Sequence, residues 1–136
     1  MPSDERPPQC EAELRTVAMP ADTNAYGDIF GGWLLAQMDL AAGSYAIMQA
    51  RGRVATVGIQ AMSFHKPVYV GDQVSCYCRT EGVGNTSITV HVETWARRRL
   101  GGHFGDTVKV TQGNFTFVAL NEDGSKRAVP RDDQEV

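Results

Sequence analysis

The chain has too few cysteines for a disulfide framework. Cys10, Cys76 and Cys78 are the only three in 136 residues, an odd number that fits a reducing compartment. No apolar run approaches the ~20 residues that span a bilayer, so no membrane insertion is expected. The first eight residues carry acidic side chains and no apolar stretch, which reads against a secretory signal. A cytoplasmic location is the expectation. Positive charge is also short: 13 Lys and Arg stand against 16 Asp and Glu, for a net charge of -3. A nucleic-acid surface calls for a basic domain, so none is expected. There is no internal repeat, no low-complexity tract and no Gly-x-x-x-x-Gly-Lys phosphate loop. Cys76 and Cys78 would share one strand face, but His65, His91 and His103 are scattered and no second pair has zinc-like spacing. No metal is expected, and the cysteines read as small buried apolar residues.

What is present is an ordinary globular composition, 42% hydrophobic and 21% charged, in a length that suits a single domain over 1–136. Residues 1–13 are polar and hold three of the six prolines, as a flexible arm would. Leu14 to Met19 reads as a first strand, ended by Pro20. Ala21 to Gly31 is a loop rich in Asp, Asn and Gly. Gly32 to Ala50 is one long helix, with Trp33, Leu34, Met38, Ala41, Ala42, Tyr45 and Met48 at spacings of three and four. Its middle, Ala41-Ala42-Gly43-Ser44, is small enough for a sheet to wrap closely around it. Gly52 suits a C-terminal cap. From there the period changes to two. Strands are predicted over Val54 to Phe64, Gln73 to Glu81, Thr86 to Arg97 and Thr107 to Leu120. A turn at Gly82 to Asn85 and a loop at Arg98 to Asp106 separate the last three. Gly113 marks a bulge or a close approach. Residues 121–136 read as a polar tail. One strand, a long helix and then four strands argue for an α+β fold with an antiparallel sheet of about five strands. One helix leaves a sheet face or edge uncovered, so an oligomer is expected.

The stretch from Ala18 to Leu34, Ala-Met-Pro-Ala-Asp-Thr-Asn-Ala-Tyr-Gly-Asp-Ile-Phe-Gly-Gly-Trp-Leu, resembles the opening motif of YciA-type acyl-CoA thioesterases. The resemblance continues, in order, through Gln37 to Asp39, Gly52 to Val57, Met62 to Asp72, Gly84 to Ser87 and Val92 to Trp95. It implies the hotdog fold, an antiparallel sheet wrapped around one long helix. It also implies homodimers whose sheets join, active sites between protomers, and often a trimer of dimers. Coenzyme A enters as part of the substrate, and no separate cofactor is implied.

Hydrolysing a thioester needs an activated water or a nucleophile, and donors for the charge that develops on oxygen. The resemblance assigns the catalytic acid to Asp28, as general base or as nucleophile. Gly31 and Gly32 open the helix, where backbone N–H groups are free and the dipole favours an anion. The plain alternative for this stretch is a helix cap. Asn24 could bond the carbonyl or the water, or serve only as a turn residue. Asp39, inside the helix, is a reserve carboxylate, because some hotdog enzymes carry theirs there. Gln37 could reach the same place. The resemblance puts Thr56 and Val57 near the ligand. Candidates for the CoA moiety are His65 and Lys66, the turn Asn85-Thr86-Ser87, and Arg97 and Arg98 of a basic run that could equally be a solvated face. Two other functions stay open: a non-catalytic acyl-CoA sensor, and a hotdog dehydratase. The dehydratase would want a histidine beside its acid, and Asn24 to Gly32 has none. Tyr26 stands where related sequences often have a smaller or polar residue, and could narrow an acyl tunnel.

Overall fold

The computed structural model describes residues 5–131. Residues 1–4 of the expected arm and 132–136 of the expected tail lie outside them. Five strands and one long helix appear in the predicted order: β1 (Leu14–Val17), α1 (Gly31–Ala50), β2 (Val54–Phe64), β3 (Gln73–Val83), β4 (Ser87–Leu100) and β5 (His103–Ala119). They form one sheet in the order β1-β3-β4-β5-β2, with every pairing antiparallel. This is the expected hotdog arrangement. β1 and β2 are the sheet's two edges.

The sheet curls around α1. Met38, Ala41, Ala42 and Ala46 of the helix are buried against Cys76, Ile88, Val90, Val92, Phe115 and Phe117. The small helical residues admit the two phenylalanine rings. A Cβ on Gly43 would stand 3.8 Å from the Phe117 ring, which is ordinary contact. A second cluster closes the start of the helix, with Leu34 against Ala18, Val68, Val74, Ala96 and Val110. Met48, expected on the buried face, is 73% exposed. The helix has turned past the sheet there, and Ala46 and Ala50 take the inner positions.

Three boundaries differ from expectation. The predicted loop over Arg98 to Asp106 is a tight hairpin: Leu100 pairs with His103, and only Gly101 and Gly102 lie between. Gly101 takes a φ of 62°, and positive φ at the first central position suits a two-residue hairpin turn. The glycines mark the turn itself, and the strands run on around it. At the helix end, the left-handed residue is Arg51, with φ 56°, and not Gly52. Gly52 is needed for closeness instead, since a Cβ there would lie 2.8 Å from Arg127 Nη2. That guanidinium donates to the Ala50 carbonyl at 2.8 Å and to the Leu120 carbonyl at 2.9 Å, satisfying an orphan acceptor at the helix terminus. Residues after Leu120, read as a polar tail, thus fold back as far as Val129, which is buried with Ala50 and Ala119.

Gly113 marks a close approach. β2 bulges across from it: Gln60 pairs with Asn114 and Ser63 with Gln112, so two residues of β2 face one of β5. Ala61 takes a φ of 54° to allow this. A Cβ on Gly113 would meet Met62 Sδ at 2.2 Å. Gly113→Ala should therefore cost about 1–3 kcal/mol by overpacking. Combining it with Met62→Ala should destabilise less than the sum of the two changes in denaturant melts, because both act on one space.

Candidate functional site

The loop before α1 is shaped by Asn24. Its Oδ1 accepts the backbone N–H groups of Tyr26 at 2.9 Å and Asp28 at 3.1 Å. Its own N–H donates to the Asp28 carbonyl at 2.8 Å, and Gly27 takes the positive φ of 81° that closes the turn. The turn reading of Asn24 therefore holds for its oxygen. Its Nδ2 remains available to donate. Asp28 sits on this loop, exposed, with no hydrogen bond or ion pair to its carboxylate among the described residues. Tyr26 is 88% exposed and lines none of the clefts described below.

The helix starts after Phe30, whose carbonyl accepts the N–H of Trp33 at 3.1 Å and of Leu34 at 3.4 Å. No side chain caps this end. The N–H groups of Gly31 and Gly32 are left free, as the first turn of any helix leaves them. Two aromatic rings lie where side chains here would otherwise intrude: a Cβ on Gly31 would stand 3.5 Å from the Phe64 ring, and one on Gly32 3.1 Å from the Phe30 ring. Beside Gly31 opens a cleft of about 300 Å³ lined by Ile29, Leu34, Phe64, His65, Lys66, Pro67 and Val68. Its far wall is fixed because the N–H groups of His65 and Lys66 both reach the Val110 carbonyl, at 2.7 and 3.3 Å. His65 Nε2 lies 3.2 Å from Ser63 Oγ.

Asp39 lies eight residues into the helix from Gly31, about 12 Å along the axis. It is half-buried. Thr56 Oγ1 donates to Asp39 Oδ1 at 2.8 Å, which fixes the carboxylate and leaves Oδ2 open. Val57, next along β2, is an extra residue in the ladder, since Thr56 pairs with Phe117 and Gly58 with Thr116. Such bulges re-aim side chains beside functional sites. The sequence offers Asp39 alone as a reserve carboxylate and Thr56 separately as a ligand neighbour; their pairing is a finding of the structure. A mid-helix Asp carries no local signal, and its partner is seventeen residues away.

The remaining candidates separate. His65 and Lys66 line the cleft. Asn85, Thr86 and Ser87 lie at the opposite end of the helix: the Asn85 carbonyl accepts from Val129, which packs on Ala50. Arg98 is engaged internally. It pairs with Asp72, which is 2% exposed, and its guanidinium stacks 4.6 Å from the centre of the Tyr69 ring. Arg97 is exposed and lies over Phe104 at 4.2 Å. The Asp72–Arg98 pair escaped sequence reading. Burial pushes the Cys76 thiol up to about 11, and burial likewise raises that of Cys78, so neither offers a thiolate at neutral pH. Among the described residues no group of three or more His, Cys, Asp or Glu could hold a metal, and no helix is long and apolar enough to cross a membrane.

Residues 26–103 match the model of the thioesterase superfamily. The acyl-CoA thioester hydrolase YciA of Salmonella typhimurium is 48% identical over 123 residues, which cover 90% of this chain and 92% of that protein. A hexameric thioesterase from Yersinia pestis superposes with a TM-score of 0.85 at 47% identity, covering 91% of this chain and 99% of that one. A hexameric hotdog-fold thioesterase of Campylobacter jejuni gives 0.84 at 42% identity, over 89% and 91% of the two chains.

Proposed function

This chain belongs to the thioesterase superfamily as a YciA-type hotdog protein, and from that membership we infer that it hydrolyses acyl-CoA thioesters to free CoA and a carboxylic acid. The observation that carries the choice of residues is the Thr56–Asp39 hydrogen bond. A general base must be held within reach of the water it activates. Asp39 is so held, with one carboxylate oxygen free. Asp28, favoured by the motif, has no side-chain partner and stands exposed. We therefore assign the base to Asp39, and give Asp28 the role of shaping the loop through its backbone bonds to Asn24. The second reading, with Asp28 as base or nucleophile, rests on its place beside the free N–H groups of Gly31 and Gly32.

Those N–H groups, with Asn24 Nδ2, are the oxyanion donors in this proposal. About 12 Å separates them from Asp39 along one helix, too far to act on one carbonyl. A second copy removes the difficulty. β2 is a free edge, and Val57, Ile59, Leu40, Ile47 and Met48 expose apolar surface along it and along the helix. β2 runs from Val54 to Phe64, so antiparallel pairing of two copies about Ile59 sets the Phe64 end of one beside the Thr56 end of the other. Phe64 touches the helix start. The glycine N–H groups of one protomer then face Asp39 of its partner. The working unit in this proposal is a homodimer with two shared sites, and three such dimers would complete a hexamer, the state named for two of the relatives. His65 and Lys66 at the cleft, and Asn85 to Ser87 from the partner's far end, are the groups placed to meet CoA. Exposed Arg97 is a further contact for its phosphates, whereas Arg98 is already taken.

The test is release of free CoA from a series of acyl-CoAs by wild type, Asp39→Asn and Asp28→Asn. Loss in Asp39→Asn with activity retained in Asp28→Asn is the expected result. The reverse pattern returns the base to Asp28. A wild type that binds CoA and hydrolyses nothing is a sensor. Sedimentation as a monomer would remove the shared site.

A further inference from the structure

The cleft beside Gly31 is apolar where it is deepest. Leu34 and Val68 at its base are almost fully buried, and Ile29 and Pro67 complete the wall. The Phe64 side chain forms one of its walls: it is 55% exposed in the single chain, and its ring lies 3.5 Å from where a Cβ on Gly31 would stand. The backbone on either side is not free to adjust: Phe64 is laddered to Thr111, and His65 is hydrogen-bonded to Val110. The space is about 300 Å³, at the low end of the ~300–1,000 Å³ usual for small-molecule pockets.

We propose that Phe64 sets the acyl-chain length this protein accepts, by closing the outer end of a short apolar cleft. This rests on the thioester-hydrolase reading above. A carbonyl held at the Gly31 and Gly32 N–H groups leaves its acyl chain next to the Phe64 ring, with Ile29, Leu34, Pro67 and Val68 as the apolar lining beside it. The chain gains from each methylene it buries until it meets the ring. Each buried methylene is worth about fourfold in kcat/KM. The profile of kcat/KM against chain length therefore rises steeply for short acyl groups and breaks where the cleft is full.

The position of that break is the readout. kcat/KM is measured by CoA release from acetyl-, butyryl-, hexanoyl-, octanoyl- and decanoyl-CoA, on the intact oligomer of wild type, Phe64→Ala and Phe64→Trp. In Phe64→Ala the break is expected to move outward by at least one member of the series, about a tenfold or greater gain on the first chain beyond the wild-type break relative to the last chain before it. In Phe64→Trp it moves inward. If alanine weakens folding, the tryptophan variant still decides, because it keeps an aromatic ring at this position and changes only its size. Identical breaks in active proteins would overturn the role of Phe64 alone. A wild type that releases no CoA from any member would overturn the parent reading and take this one with it.

Discussion

Asp39→Asn is expected to lower kcat for acyl-CoA hydrolysis by about 10²- to 10⁴-fold, the usual worth of a positioned general base, with the melting temperature nearly unchanged. Asparagine keeps the shape of the side chain and an oxygen for Thr56 Oγ1, which now donates to Asp39 at 2.8 Å. It cannot take a proton from water. Gly31→Pro attacks the other half of the site. Proline is tolerated at the first helical position and removes one N–H. The residue before it, Phe30, already has the extended backbone, with ψ 160°, that a following proline demands. Losing one oxyanion donor costs about 10²- to 10³-fold. The two variants together test how the site is built. If each site takes Asp39 from one protomer and Gly31 from the other, a mixed dimer of the two variants has one doubly defective site and one intact site. Random re-association of equal amounts should then recover about a quarter of wild-type activity, by the symmetry of a two-fold interface. If both groups served one site within a protomer, mixing would recover nothing.

The architecture was legible because it is written in period. Apolar residues three and four apart from Trp33 to Ala42, and alternation from Gln73 to Thr94, record which side of each element faces the core, and burial follows them. Gly113 was legible for a related reason: a glycine inside an alternating strand has to be explained by something near it, and that is Met62. Interactions between distant positions left no such record. Val129 is a single valine in a polar stretch, and its burial depends on Arg127 reaching the carbonyls of Ala50 and Leu120. Backbone acceptors have no sequence signature. The same holds at the site. The resemblance assigns the acid to Asp28 in the motif Asn24 to Gly32, where the local pattern by itself reads as a helix cap. Asp39 gains its position from a threonine across the helix–sheet interface, on a strand whose register no local rule supplies. Arg98 shows the limit from the other side. In sequence it is one of three consecutive arginines and reads as solvated charge. In the fold, strand alternation turns it toward buried Asp72 and leaves Arg97 and Arg99 over Phe104.

That difference makes Arg98 the position where a single surface-looking substitution should unfold the protein most readily. Asp72 is 2% exposed. Its carboxylate accepts the Tyr69 N–H at 2.8 Å and is otherwise held by the Arg98 guanidinium. Arg98→Met keeps most of the stem but leaves the carboxylate buried without its counter-charge. Removing one partner of a buried ion pair costs about 3–5 kcal/mol, far above the ~0–1 kcal/mol of an exposed pair. In a chain of this length that corresponds to a fall of about 10–20 °C in melting temperature. Arg97→Met and Arg99→Met, which remove exposed guanidiniums from one ring, should shift it by only a few degrees. The double variant Arg98→Met with Asp72→Asn separates the charge from the packing. It should recover more than half of the lost stability, because the penalty lies in the unpaired charge and not in the missing arginine. No recovery would mean that stacking on Tyr69, 4.6 Å from the guanidinium, is what holds this corner. KM for acyl-CoA, taken well below the melting transition, should change little in Arg98→Met, since the guanidinium is paired with Asp72, stacked on Tyr69 and only 18% exposed.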